Sequence, residues 1–170
     1  ATEETFEQFG VSDPDPDHIE DMTIGATPSS VADVCEAYDL QPETFWRVRD
    51  KTMSGAQQAE ARAGRKTPYS DLTVLDELDA SCGIVSSNQQ ETVDFLLEHF
   101  EIGGLFETAY GREATVESLD LRKPNPHYLE RALADLDADS ALFVGDNESD
   151  IKAAENAGID SAFIRRPHRT

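Results

Sequence analysis

From residue 67 onward, short apolar runs alternate with amphipathic helical segments, and this alternation restricts the fold more than any other feature of the chain. The runs are Cys82–Val85, Phe106–Tyr110, Ala141–Val144 and Ser161–Ile164. A segment carrying Leu72, Leu75 and Leu78 leads into the first run, and Val93, Leu96, Leu97 and Phe100 after it follow the i, i+3, i+4, i+7 rule of a one-faced helix. Leu129, Ala132, Leu133 and Leu136 repeat that set, and a helix is predicted from about Asp150 to Ala157. Strands separated by helices of this length form right-handed βαβ units. The expected core is therefore an α/β fold: a parallel sheet with helices on both faces, over residues 67–170.

Residues 1–66 read differently, as an all-helical module with no strand pattern. Residues 11–18 (VSDPDPDH) form a turn, because Pro14 and Pro16 exclude regular structure and Asp favours caps. Ser29 and Ser30 are placed to cap a helix bearing Val31, Val34, Cys35 and Tyr38. Pro42 suits the first turn of another, which runs through Phe45, Trp46 and Val48. Ser54–Arg65 has almost no large apolar residue and is predicted as a solvent-facing helix. The pattern changes at Arg65-Lys66-Thr67-Pro68, the expected boundary between the two parts.

The chain carries 35 acidic against 14 basic residues, a formal net charge of −21, which makes nucleic acid a poor partner. The acids are spread along well-patterned segments and not massed in a tail, so disorder does not follow. Only four residues are lysine: Lys51, Lys66, Lys123 and Lys152. An acid-coated, lysine-poor surface on an ordinarily patterned chain points to a halophilic, salt-rich cytoplasm, where charge repulsion is screened. No apolar run approaches the roughly 18–20 residues that span a bilayer, and no secretory signal is visible, so the expectation is a cytoplasmic protein without a membrane partner. Cys35 and Cys82 lack any metal or redox spacing and read as structural thiols. His18, His99, His127 and His168 form no metal spacing either. Oligomeric state is not legible.

Function in open parallel sheets collects in the loops past the carboxyl ends of the strands. Three such loops are chemically unusual. In Gly83-Ile84-Val85-Ser86-Ser87-Asn88 an apolar strand ends abruptly in hydroxyls and an amide; this suits a phosphate cradle at a helix start, and equally an ordinary N-cap. In Leu121-Arg122-Lys123-Pro124-Asn125-Pro126 two prolines stiffen the loop around a lysine, either a solvated one or a fixed cation for phosphate oxygens. In Val144-Gly145-Asp146-Asn147-Glu148-Ser149-Asp150 an acid just past a strand is followed, four residues on, by another. That pair suits a helix cap or a Mg2+ site, since Mg2+ takes one or two protein carboxylates plus water and phosphate. The alternation and turn glycine of a calcium loop are absent.

The order and spacing of these segments resemble the haloacid dehalogenase superfamily, in particular its phosphoglycolate phosphatase-like members. "GIVSSN" is similar to motif II, "KPNP" to motif III, and "VGDNESDIKAAENAG" to motif IV with its following helix. The resemblance covers residues 67–170, and residues 1–66 resemble the helical cap domain of such enzymes, with "KTPYSDLTVLDEL" as the hinge back to the core. It implies a Mg2+-dependent phosphatase of a small soluble phosphorylated metabolite, working through an aspartyl-phosphate. Ser86 would bind the transferring phosphoryl group, in preference to Ser87, with Ser87 and Asn88 completing the cradle. Lys123 would steady the intermediate and orient the nucleophile, and Asp146 and Asp150 would hold Mg2+. Motif I, an apolar strand ending in Asp-x-Asp-Gly that supplies the nucleophile, has no counterpart: Asp13-Pro14-Asp15-Pro16-Asp17 lacks both the strand and the glycine. The expectation is that it lies upstream of Ala1. A catalytically inactive phosphate- or partner-binding relative, a phosphomutase and a 2-haloacid dehalogenase are the alternatives.

Overall fold

The computed structural model describes residues 1–165, so His168 and the end of the 67–170 core lie outside the described residues. Four helices come first: α1 (Thr2–Gln8), α2 (Pro16–Thr23), α3 (Pro28–Ala37) and α4 (Pro42–Arg62). Three of them begin on a proline at the first turn, where the missing N–H costs nothing. Asp15 caps α2 by accepting from the Asp17 N–H at 2.9 Å, so the Asp-Pro repeat is a helix start and not a strand end. The cap of α3 is Thr27, two residues before Ser29. Thr27 Oγ1 accepts from the Ser30 N–H and Ser30 Oγ from the Thr27 N–H, leaving Ser30 as the far half of a capping box.

The helices share an apolar core of Phe6, Met22, Val31, Val34, Cys35, Phe45 and Trp46. Burying each large aromatic contributes about 2–3 kcal/mol. Val116 and Leu119, from a single 3-10 turn at Glu117–Leu119 and the residue before it, complete this core from the other half of the chain. The segment Ser54–Arg65 departs from expectation. It is the continuation of α4, a single 21-residue helix, and Ser54 and Ala61 are buried rather than solvent-facing. Its inward face is polar because its partners are polar, so no apolar periodicity marks it.

The α/β part holds β1 (Gly83–Gln89), α5 (Gln90–His99), β2 (Thr108–Arg112), α6 (His127–Asp135), β3 (Leu142–Gly145), α7 (Glu148–Ala157) and β4 (Asp160–Phe163). The Leu72/Leu75/Leu78 segment is a 3-10 run, Ser70–Glu77, and not an α-helix. All strand pairs among the described residues are parallel, but they form two two-stranded ribbons, β1–β2 and β3–β4. α5 and α6 pack on the first ribbon, α7 on the second, and α6 meets α7. Leu142, Val144 and Phe163 of the second ribbon stay exposed.

The first ribbon carries one irregularity. Val85 pairs with Tyr110 and Gln89 with Arg112, so β1 takes four steps while β2 takes two. Ser86, Ser87 and Asn88 thus bulge out of the ladder. Gly111 of β2 permits it: a Cβ there would meet Gln90 Cα at 2.7 Å and Asn88 O at 3.0 Å. No helix among the described residues is long and apolar enough to cross a membrane.

Candidate functional site

Ser86 is partly buried and Ser87 exposed. Ser86 Oγ accepts the Asn88 backbone N–H at 3.1 Å, which leaves its own O–H proton available to donate. The Asn88 side chain turns to α4: Gln57 Nε2 donates to Asn88 Oδ1 at 2.7 Å, and Asn88 Nδ2 donates to Gln57 Oε1 at 2.9 Å. The sequence assigns Asn88 to the phosphate cradle, and in the structure its side-chain amide bonds Gln57 of the helical part.

Lys123 precedes α6 on a loop closed by Pro124, across a cis Lys123–Pro124 peptide, and by Pro126. Its ammonium donates to Val85 O at 3.2 Å and lies 2.7 Å from Asp150 Oδ1. The ammonium also lies 5.3 Å from the Phe143 ring centre. Both charged side chains are nearly buried, at 12% and 8% exposure, so this is not a solvated surface pair. One side chain therefore ties the mouth of β1 to the mouth of β3.

Asp150 is buried and its two oxygens divide the task. Oδ1 meets Lys123, while Oδ2 accepts the backbone N–H groups of Asp146 (3.1 Å) and Asn147 (3.0 Å). With Asn147 as N-cap, accepting from the Ser149 N–H, this is a capping box that fixes the start of α7. Gly145 makes room for it: a Cβ there would fall 2.4 Å from Asp150 Cβ. Asp146, one residue past β3, is partly exposed beside this box. Lys123 thus joins Asp150 to Val85, the residue next to Ser86, with Asp146 adjoining and Ser87 exposed.

No group of three His, Cys, Asp or Glu side chains gathers for a metal among the described residues, so a cation here would rest on Asp146 and Asp150. Two hard carboxylates match in kind the one or two that Mg2+ takes when water and a phosphate complete its shell. Asp150 keeps one acceptor position, on Oδ1, beyond its contacts with Lys123 and the two N–H groups, since a carboxylate has about four.

Reading the sequence missed the residues that hold this cluster to the helices. Asp50 of α4 is 1% exposed and lies among Arg49, Arg112 and Gln89. Arg112 Nη2 donates to Asp50 Oδ1 at 2.8 Å and lies 2.7 Å from Oδ2, which accepts no hydrogen bond among the described residues. Arg49 bonds Asp50 Oδ1 and the carbonyls of Met22 and Thr23, and both guanidiniums lie over the Trp46 ring. Burial holds the Arg49 guanidinium below its ordinary pKa, against the opposing pull of Asp50. The signal available in the sequence is two arginines of a base-poor chain, Arg49 and Arg112, each a few residues past apolar or aromatic positions. A mostly apolar cavity of about 310 Å³ lies where Lys66–Leu72 faces Leu96, Phe100 and Ile102 of the α5 region; of the chemically distinctive residues named above, only Lys66 borders it.

The haloacid dehalogenase-like hydrolase family matches residues 1–164. The pyrophosphatase PpaX of Bacillus cereus (strain ATCC 10987 / NRS 248) is 32% identical over 101 residues, covering 58% of this chain and 45% of the relative. PpaX proteins of Bacillus thuringiensis (strain Al Hakam) and Bacillus anthracis (strain CDC 684 / NRRL 3495) match to the same extent. The aligned stretch thus spans less than half the length of these relatives. A hydrolase from Streptococcus pneumoniae TIGR4 superposes on 99% of this chain and 83% of its own, with a TM-score of 0.52 and 18% identity, a likeness of fold alone. With nearly its whole length matched, the chain belongs to the haloacid dehalogenase-like hydrolase family.

Proposed function

We propose that the protein carrying this chain is a Mg2+-dependent phosphomonoester hydrolase acting on a small soluble phosphorylated metabolite. The observation that carries this reading is Lys123, buried between Val85 O and Asp150 where the two ribbons meet. A cation held at that point, beside a hydroxyl free to donate, is a receptor for phosphoryl oxygens. Ser86 donates its proton to one oxygen, and Lys123 holds another while fixing the orientation of the attacking group. Asp146 and Asp150 would hold the metal, with Asp150 kept in place by its backbone N–H donors. When bound, Mg2+ would supply neutralising charge for the transferring group.

The attacking carboxylate belongs to a motif outside residues 1–170, and it forms the aspartyl-phosphate that water then hydrolyses. The exposed Leu142 and Val144 on β3 support this, as the apolar surface that a further core strand covers. The helical part covers the site and limits water. Because the Bacillus relatives are named pyrophosphatases, pyrophosphate belongs among the candidate substrates.

The test is a phosphate-release screen at high salt on the protein expressed from its whole reading frame, with phosphomonoesters of small metabolites, pyrophosphate and a 2-haloacid. Release is expected from at least one phosphorylated compound, and EDTA, Lys123→Ala or Asp146→Ala should abolish it. Activity that survives EDTA, or halide release in place of phosphate, would sink the phosphatase reading.

A further inference from the structure

The polar face of α4 is aimed at the site. Asp50, Ser54 and Gln57 recur at i, i+4 and i+7, and meet in turn Gln89, Thr92 and Asn88 at the end of β1 and the start of α5. The last contact differs from the other two. Gln57 and Asn88 bond reciprocally, and Lys66 Nζ donates to the same Gln57 Oε1 at 2.7 Å. In a chain with four lysines, two therefore end in the hydrogen-bond network of one short bulge, Lys123 on Val85 and Lys66 on Gln57.

An amide engaged through both its oxygen and its nitrogen has no rotational choice left. Asn88 is fixed by Gln57, and the Asn88 backbone N–H is fixed on Ser86 Oγ at 3.1 Å. Because Ser86 accepts there, its proton points elsewhere. We propose that Gln57, braced by Lys66, is a positioning residue: acting from the helical part through Asn88, it sets the direction in which Ser86 presents its proton to a bound phosphoryl oxygen. This deepens the phosphatase reading and rests on it. It also names what the helical part contributes to the chemistry besides cover.

An ordinary clamp between two elements would show in stability alone, and Ser54 provides the comparison. Its buried hydroxyl accepts from Thr92 Oγ1 at 2.8 Å one turn away, without touching the bulge. With a substrate found in the screen above, Gln57→Ala should lower kcat about fivefold to tenfold, the worth of one hydrogen bond, and leave KM within about twofold. Ser54→Ala should lower the thermal midpoint and leave kcat unchanged. In a Ser86→Ala background the Gln57→Ala loss should vanish, because Gln57 acts only through Ser86. A Gln57→Ala enzyme with unchanged kcat overturns the inference while the phosphatase reading stands, as does a loss that persists without the Ser86 hydroxyl or falls on KM alone. A wild-type protein silent across the whole screen removes the reading beneath it.

Discussion

Lys123 shows how much can rest on one side chain. Its ammonium neutralises a nearly buried carboxylate and crosses between two ribbons that share no backbone hydrogen bonds. Lys123→Met keeps the apolar stem but strips Asp150 of its counter-charge. Asp150 retains two N–H donors, so the expected loss, read from urea unfolding, is about 2 kcal/mol, below the 3–5 kcal/mol typical when a buried pair is broken outright. Phosphate release should fall at least a hundredfold, the usual cost of one preorganised charge-stabilising donor. Gly145 makes a sharper point, because its neighbour cannot move cheaply: Gly145→Ala must push Asp150 off the Asp146 and Asn147 N–H groups. The expected cost is about 1–3 kcal/mol in the same measurement. Tyr128 gives a pH signature. Burial, then its hydrogen bond to Glu113, pushes the phenol from 10.0 up to about 12. The folded chain thus holds the proton more tightly than the unfolded one. The resulting stabilisation is complete below pH 10.0 and is lost as pH rises through about 12. Tyr128→Phe should flatten the fall in unfolding midpoint across that window, and an equally steep fall in the variant would refute the assignment.

At the scale of elements, α4 does most to join the two halves, and it does so with charge. Asp50 sits between Arg49 of its own helix and Arg112 of β2, all three almost fully buried. Asp50→Ala would leave two guanidiniums in the interior with no carboxylate. The expected destabilisation is about 3–5 kcal/mol by chemical denaturation. Asp50→Asn, which keeps the shape and still offers one acceptor, should cost less, and equal losses would show that the lost charge alone sets the cost. This joint also explains what was legible in the sequence. The strands, α5, α6 and α7 stand close to where the alternating apolar runs and helical segments place them, although Leu142, Val144 and Phe163 of the second ribbon stay exposed. Lys123 reaches both Asp150 and Val85, the neighbour of Ser86, because each follows or precedes a strand or helix end that the pattern locates. The second half of α4 carries the pattern of a solvent-facing helix because its partners are the polar Gln89, Thr92 and Asn88. Hydrogen-bonded faces leave no hydrophobic period, so Gln57 and Asp50 had no mark of their function. The Ser70–Glu77 run failed for another reason: leucines every third residue fit a 3-10 turn as well as an α-helix.

For the whole molecule the governing quantity is charge. Thirty-five acids against fourteen bases leave −21 on a single chain, and only a few acids are neutralised by the ion pairs named above. At about 0.1 M salt the screening length is roughly 10 Å, comparable with the spacing of surface carboxylates, so their mutual repulsion weighs against the compact state. By about 1 M it has shrunk to roughly 3 Å, and exposed charges barely sense one another. The buried Asp50 and Lys123 pairs lie out of reach of that screening. Salt should therefore relieve the surface repulsion without weakening the joints that hold the fold. The unfolding midpoint in urea should climb steeply from about 0.1 M to about 1 M KCl and then level off. Preferential exclusion of salt from the surface would act differently, continuing upward beyond 1 M and far more strongly in sulfate than in chloride. Midpoints that do not change across this range would show that the acidic surface carries no energetic burden, and the link between composition and a salt-rich setting would then fail.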